Sequence, residues 1–143
     1  MKINKLNVEF EYNFELFALI SSAKDYKLAW HLNKILNLHL CKTEDLIIEF
    51  LHKSKIYISN FTFDKEYSSF RLLKNKACEF ENVPKPYLVP ELKEYDYLLM
   101  LHDEAGEWDL EQITVLLKNI SVIQYLIKVN PENLKSKENL IFN

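Results

Sequence analysis

Glycine is nearly absent from this chain: Gly106 is the only one in 143 residues. Loops that cradle phosphate bring backbone close to the ligand or take positive φ, and they need several glycines to do it. A P-loop and a dinucleotide-binding fingerprint are therefore excluded. So are the glycine-bearing strand of an RNA-recognition module and a G-x-S-x-G nucleophile elbow. Cysteine is scarce as well. Cys41 and Cys78 form no C-x-x-C pair, and two thiols are too few for a disulfide framework. That usage fits a reducing, cytoplasmic setting. Long apolar runs are missing. The run at 16–20 is short and follows Glu9, Glu11 and Glu15, unlike a signal peptide. No segment approaches the roughly 20 apolar residues of a membrane span, so a soluble protein without a membrane role is expected. Positive charge is not in excess either. The formal net charge is −3 and the sequence pI about 5.8, whereas duplex nucleic-acid binders commonly carry a basic face.

What is present is enough to build an interior. Hydrophobic residues make up 48% of the chain and include nine Phe, eight Tyr and two Trp. Aromatic side chains bury large areas, and a chain of this length closes a core without disulfides or metals. One domain spanning residues 1–143 is expected.

The hydrophobic periods place the elements. Residues 8–12 (VEFEY) read as a first strand. Residues 14–20 are apolar on both faces, as in a strand inside a sheet. Ser22 and Asp25 have the spacing of a helix start with Ser22 as cap. Leu28, Ala29, Leu32, Ile35 and Leu36 then form one stripe of a helix ending near Asn37. Short strands follow over 38–42, 46–51, 55–63 and 69–73, with breaks at 42–45, 52–54 and 64–68. Residues 78–94 carry Pro84, Pro86 and Pro90 and read as an ordered irregular crossing. A second interior strand covers 96–102. Asp109 and Gln112 then start a helix bearing Leu110, Ile113, Leu116, Leu117 and Ile120. The last strand covers 122–129 and stops at Pro131. Two strand–helix–strand units thus flank an antiparallel block. The expected fold is α+β: two layers, with a largely antiparallel sheet and both helices on one face. The tail, residues 130–143, is polar but ends in Leu140, Ile141 and Phe142, and is expected to dock on its own domain or on another chain.

Candidate chemistry is sparse. His39 and Cys41 would share one strand face, but zinc needs three or four ligands. Cys78, His52 or His102 would have to converge on them, and no metal or cofactor is expected. Asp103, Glu104, Glu107 and Asp109 cluster after an interior strand. They can form a ligand site, or simply hold the loop and the start of the second helix. Phe61, Phe63, Tyr67 and Phe70 interleave with the basic residues of 53–76. That is the chemistry of single-strand nucleic-acid binding, and equally that of a charged sheet rim over a core. Nucleic acid is the weaker expectation. Trp30 and Trp108 serve as interface anchors or as core.

One segment carries a resemblance. Residues 89–97, VPELKEYDY, resemble the motif that names the IPExxxVDY family of small bacterial proteins. Pro90, Glu91, Asp96 and Tyr97 stand at the named positions. Val89 replaces the Ile and Tyr95 the Val. The resemblance implies no activity, but it marks Pro90, Glu91, Asp96 and Tyr97 as candidate binding residues. In one reading Glu91 and Asp96 present carboxylates in a pocket with Tyr97. In the other they satisfy backbone amides at a turn while Tyr97 packs and ties its hydroxyl to a neighbour. The function expected is that of a non-catalytic binding or protein-interaction module, as a homodimer or with an unknown protein partner. The alternative is a small-molecule-binding domain or minor enzyme using the carboxylates of this segment.

Overall fold

The strands Phe14–Ile20 and Tyr97–Asp103 carry apolar residues on both faces, and this places them inside the sheet. A computed structural model describes residues 13–84 and 86–142; the strand expected at 8–12 lies outside the described residues. The elements are β1 (Phe14–Ile20), α1 (Asp25–Leu36), β2 (Cys41–Glu49), β3 (Lys55–Asp64) and β4 (Ser68–Lys74). They continue with β5 (Glu79–Glu81), β6 (Tyr97–Asp103), α2 (Leu110–Lys118) and β7 (Tyr125–Val129). The seven strands form one antiparallel sheet in the order β2-β3-β4-β6-β1-β7, with β5 paired to β3. The α+β class expected from the periods is the class observed. The two interior strands, β1 and β6, are paired to each other from Phe14↔His102 to Leu19↔Tyr97.

The connections place the helices. Antiparallel steps across the sheet make β1 and β2 run the same way, and likewise β6 and β7. Each helix therefore sits in a crossover between parallel strands, and such crossovers are almost always right-handed. The first crossover leads toward one edge and the second toward the other, on strands of opposite direction. The two reversals cancel for crossovers of the same hand, and residues of both helices meet one set of sheet residues. Leu28, Ala29, Leu32 and Leu36 of α1 and Ile113 and Leu117 of α2 share a buried cluster. Its sheet members include Phe17, Leu19, Phe61, Phe70, Leu72, Tyr97, Leu99 and Leu101.

The opposite residues of the same strands build a second cluster. Leu16, Ala18, Ile56, Ile58, Leu73, Leu98 and Met100 meet Leu88 and Val89 of the irregular crossing and Leu134 and Leu140 of the tail. Irregular chain thus covers this face, and the apolar end of the tail docks on its own domain.

The crossing expected to be irregular over 78–94 opens with the short strand β5, and three boundaries also differ from expectation. The turn-like residues at 42–45 do not break a strand. Between Thr43 and Leu46 the register with β3 shifts, so Glu44 and Asp45 together face Ser59. Such a bulge resets the alternation. Leu46 and Ile48 consequently face the core, opposite Ile58 and Ile56. Helix α1 starts at Asp25 after an extended Lys24 that offers no side-chain cap. Ser22 donates its amide to Gln124 Oε1 instead (3.1 Å). The neighbouring Ser21 hydroxyl donates to the Val122 carbonyl (2.6 Å) and accepts from the Ala23 amide (3.2 Å). Long-range bonds of this turn have displaced the local cap. The last strand begins at Tyr125, because Val122 and Ile123 form the turn that receives Ser21.

Candidate functional site

The VPELKEYDY segment is held by a residue outside it. Asn75, fully buried just past β4, accepts the Val89 amide at Oδ1 (2.9 Å). Its Nδ2 donates to the carbonyls of Leu92 (2.8 Å) and Tyr95 (3.1 Å). Its backbone accepts from Leu88 (2.7 Å) and donates to the Asp96 carbonyl (2.9 Å). One amide side chain thereby closes both ends of the 3₁₀ turn Pro90–Leu92. Pro90 sits in the first turn, where its missing amide has no partner to lose. Sequence reading passed over Asn75, since a lone Asn after a strand carries no spacing signal.

The carboxylates go separate ways. Glu91 Oε2 accepts the Ser136 amide of the tail (2.7 Å). Partial burial pushes its carboxyl up, but the amides of Glu91, Ser136 and Lys135 and the Ser136 hydroxyl outweigh this and hold it below its ordinary value. Asp96 Oδ2 accepts the Ser21 amide (2.9 Å), and the Tyr97 hydroxyl donates to the Ala23 carbonyl (2.6 Å). Burial, followed by the charges of Asp25 and Asp96, pushes the Tyr97 phenol up to about 12. Asp96 and Tyr97 are thus brought together at the Ser21–Ala23 turn between β1 and α1, while Glu91 is directed to the tail. Replacing Tyr97 by Phe is expected to cost about 1 kcal/mol in urea unfolding. In an ultraviolet pH titration the same substitution removes a phenol that ionises at about pH 12. If the late phenol persists in Tyr97→Phe, it belongs to another tyrosine.

Pro90 faces a hollow of about 600 Å³. Phe50, Leu51, Val83, Pro84 and Tyr87 form much of its wall, and Ser54, Asn82, Lys135 and Ser136 add polar groups. The Ser54 hydroxyl donates to the Asn82 carbonyl (2.9 Å) and ties two walls together. The rim is strained. His52 (φ 64), Lys53 (φ 59) and Asn82 (φ 53) take the left-handed conformation that favours glycine. His52 and Lys53 occupy the centre of the tight turn joining β2 and β3, where Asn-Gly is the usual pair.

The remaining candidates are spread through the fold. Asp103 accepts the amides of Glu107 (3.0 Å) and Trp108 (2.9 Å), and Asp109 caps α2 through the amides of Glu111 and Gln112. His39 lies before β2, with its ring on Phe63, and Cys41 is exposed. Strand β2 starts only at Cys41, so the two do not share a strand face. Among the described residues no three His, Cys, Asp or Glu side chains converge as metal ligands. Phe61 and Phe70 are buried and Phe63 packs beside them, which leaves Tyr67 exposed from the aromatic series of 53–76. Trp108 packs edge-on against Phe70, whereas Trp30 is exposed on α1.

A hydrogen-bonded chain not foreseen from sequence runs Asp25–Ser59–Lys42–Asp45–Cys78. Ser59 Oγ donates to Asp25 (2.6 Å) and accepts from Lys42 (2.7 Å). Asp45 takes Lys42 on one oxygen (3.2 Å) and the Cys78 thiol on the other (3.2 Å). Burial, then the Asp45 carboxylate, pushes the Cys78 thiol up, away from a reactive thiolate. Ser59 is only 5% exposed. A hydroxyl closed in this way pins β2, β3 and α1 together and offers no approach to a substrate.

No family model matches the chain, and no curated protein matches it. Among the described residues, no helix is long and apolar enough to cross a membrane.

Proposed function

We propose that this protein is a non-catalytic binding module and that the hollow beside Pro90 receives a small, largely apolar ligand. The observation that carries this is a division of labour. Glu91 is spent on the Ser136 amide, and Asp96 and Tyr97 on the Ser21–Ala23 turn, while the hollow beside Pro90 stays open, lined by aromatic and aliphatic side chains together with hydroxyls, amides, His52, Lys135 and Glu138. That volume and lining are typical of small-molecule sites. Left-handed residues on the rim add support, because strain of this kind concentrates where a binding surface is shaped. The IPExxxVDY resemblance enters here as a proposal too: in this chain the segment acts as the clamp that sets one wall of the hollow. The body is read as a helical layer on the sheet, with the irregular cover of the other face providing the site.

The test is a titration with indole and with benzamide, followed through the amide resonances. Saturable shifts at Phe50, Tyr87 and Ser136, abolished by Ser54→Trp, are expected. Shifts that map elsewhere, or that survive Ser54→Trp, overturn the proposal. A protein partner is a second reading, favoured by Tyr26 and Trp30, both more than half exposed and one turn apart on α1. Light scattering of the protein and of Trp30→Ala distinguishes a homodimer from a monomer that awaits another partner.

A further inference from the structure

A second hollow, of about 410 Å³, lies on the face of the sheet away from the helices, between the strands and the end of the tail. It is lined by Phe14, Ser69, Arg71, His102, Glu104 and the residues 140–142. The pairing of β4 with β6 builds its floor. Ser69 stands opposite His102, Arg71 stands two residues along the same face, and Phe14 of β1 pairs with His102 from the other side. The Phe14 and His102 rings are 5.3 Å apart.

Arg71 is the unusual member. Its guanidinium lies over the Phe142 ring at 5.4 Å, yet among the described residues no carboxylate forms an ion pair with it. A half-buried guanidinium keeps its charge, so it requires either water or an anion. Its planar fork of donors fits an oxyanion better than any other ligand. The Ser69 hydroxyl and the His102 ring add neighbouring hydrogen-bonding groups along the same row.

We propose that Arg71, with Ser69 and His102, forms a binding site for the oxyanion group, carboxylate or phosphate, of a small molecule whose apolar part rests against Phe14 and Phe142. The site is separate from the hollow at Pro90. Glu104, the acidic group of the lining, opposes an anion and sets the upper limit of its charge. His102 reports occupancy. Burial, then the Arg71 charge, holds its imidazole below the ordinary value of 6.5, against the opposing pull of Glu104. An anion on Arg71 cancels part of that charge, so binding raises the His102 pKa and grows stronger as the pH falls.

The experiment follows the His102 ring by proton NMR during titration with benzoate and with inorganic phosphate. A saturable rise in the His102 pKa is expected, with shifts at Ser69 and Arg71. Preference for benzoate identifies a carboxylate on an aromatic body, and preference for phosphate a phosphoryl group. Arg71→Gln is expected to weaken binding roughly tenfold to a hundredfold, Arg71→Lys less, and Glu104→Gln to strengthen it. Thermal melts of each variant separate loss of binding from loss of fold. No saturable response in the folded parent protein, or a folded Arg71→Gln variant that binds as the parent does, overturns the proposal.

Discussion

Replacing Asn75 by Ala is expected to cost about 3 kcal/mol of stability in urea unfolding, a large effect for a polar side chain. The side chain is fully buried and serves four backbone groups of the VPELKEYDY segment: the Val89 amide and the carbonyls of Val89, Leu92 and Tyr95. Alanine leaves the buried Val89 amide without its acceptor, and a buried unsatisfied group costs about 1–3 kcal/mol. The Leu92 and Tyr95 carbonyls belong to half-buried residues, and water relieves part of their loss. Asn75→Asp is the sharper comparison. It keeps an acceptor for Val89 but turns a carboxylate toward three carbonyls, so at neutral pH it is expected to be no better than Ala. Protonation restores one donor, and acidification should recover part of its stability. A loss under about 1 kcal/mol for Asn75→Ala means that the segment holds its shape without the amide.

Ending the chain at Lys135 is expected to lower stability by about 4–5 kcal/mol and the melting temperature by roughly 10 °C or more. Leu140 is 2% exposed, and burying a leucine contributes about 1.5–3 kcal/mol. Asn139 donates to the Leu88 carbonyl (2.9 Å), which truncation leaves without that bond. Ser136, held by Glu91, is lost as well. Because the tail docks on its own sheet, the mass by light scattering should fall only by the residues removed. A change of oligomeric state would place the tail in an interface instead. The Glu91 contact adds a pH signature. A carboxyl held below its ordinary value of 4.5 contributes stability that is fully present above that value and lost as the pH falls through the folded one. The gap between full-length and truncated chains should therefore narrow on acidification below about pH 4.5.

The strands and helices were legible where the period was strong. The alternation of Leu16, Phe17, Ala18 and Leu19, and of Tyr97 to Leu101, announced two strands buried on both faces, and these pair with each other inside the sheet. Asp109 was legible as a cap because an N-cap bond is made within three residues. The cap at Ser22 was misread because Asp96, Val122 and Gln124 fasten that turn across 75 to 102 positions of chain. The break at 42–45 was misread because a bulge and a turn share the same polar composition. At the candidate site, Glu91, Asp96 and Tyr97 were visible as residues, and the partners that occupy them were not.

Local pattern, then, settled the class of the fold: side-chain periods of two and of about three and a half act over a few residues, and each residue carries them by itself. Which carboxylate meets which amide, why Asn75 matters, and where Arg71 is left facing a hollow were decided only when strands far apart in sequence were laid side by side. Hydrogen bonds and charges act over a few ångströms, and the distances between such groups are set by packing, not by their order along the chain.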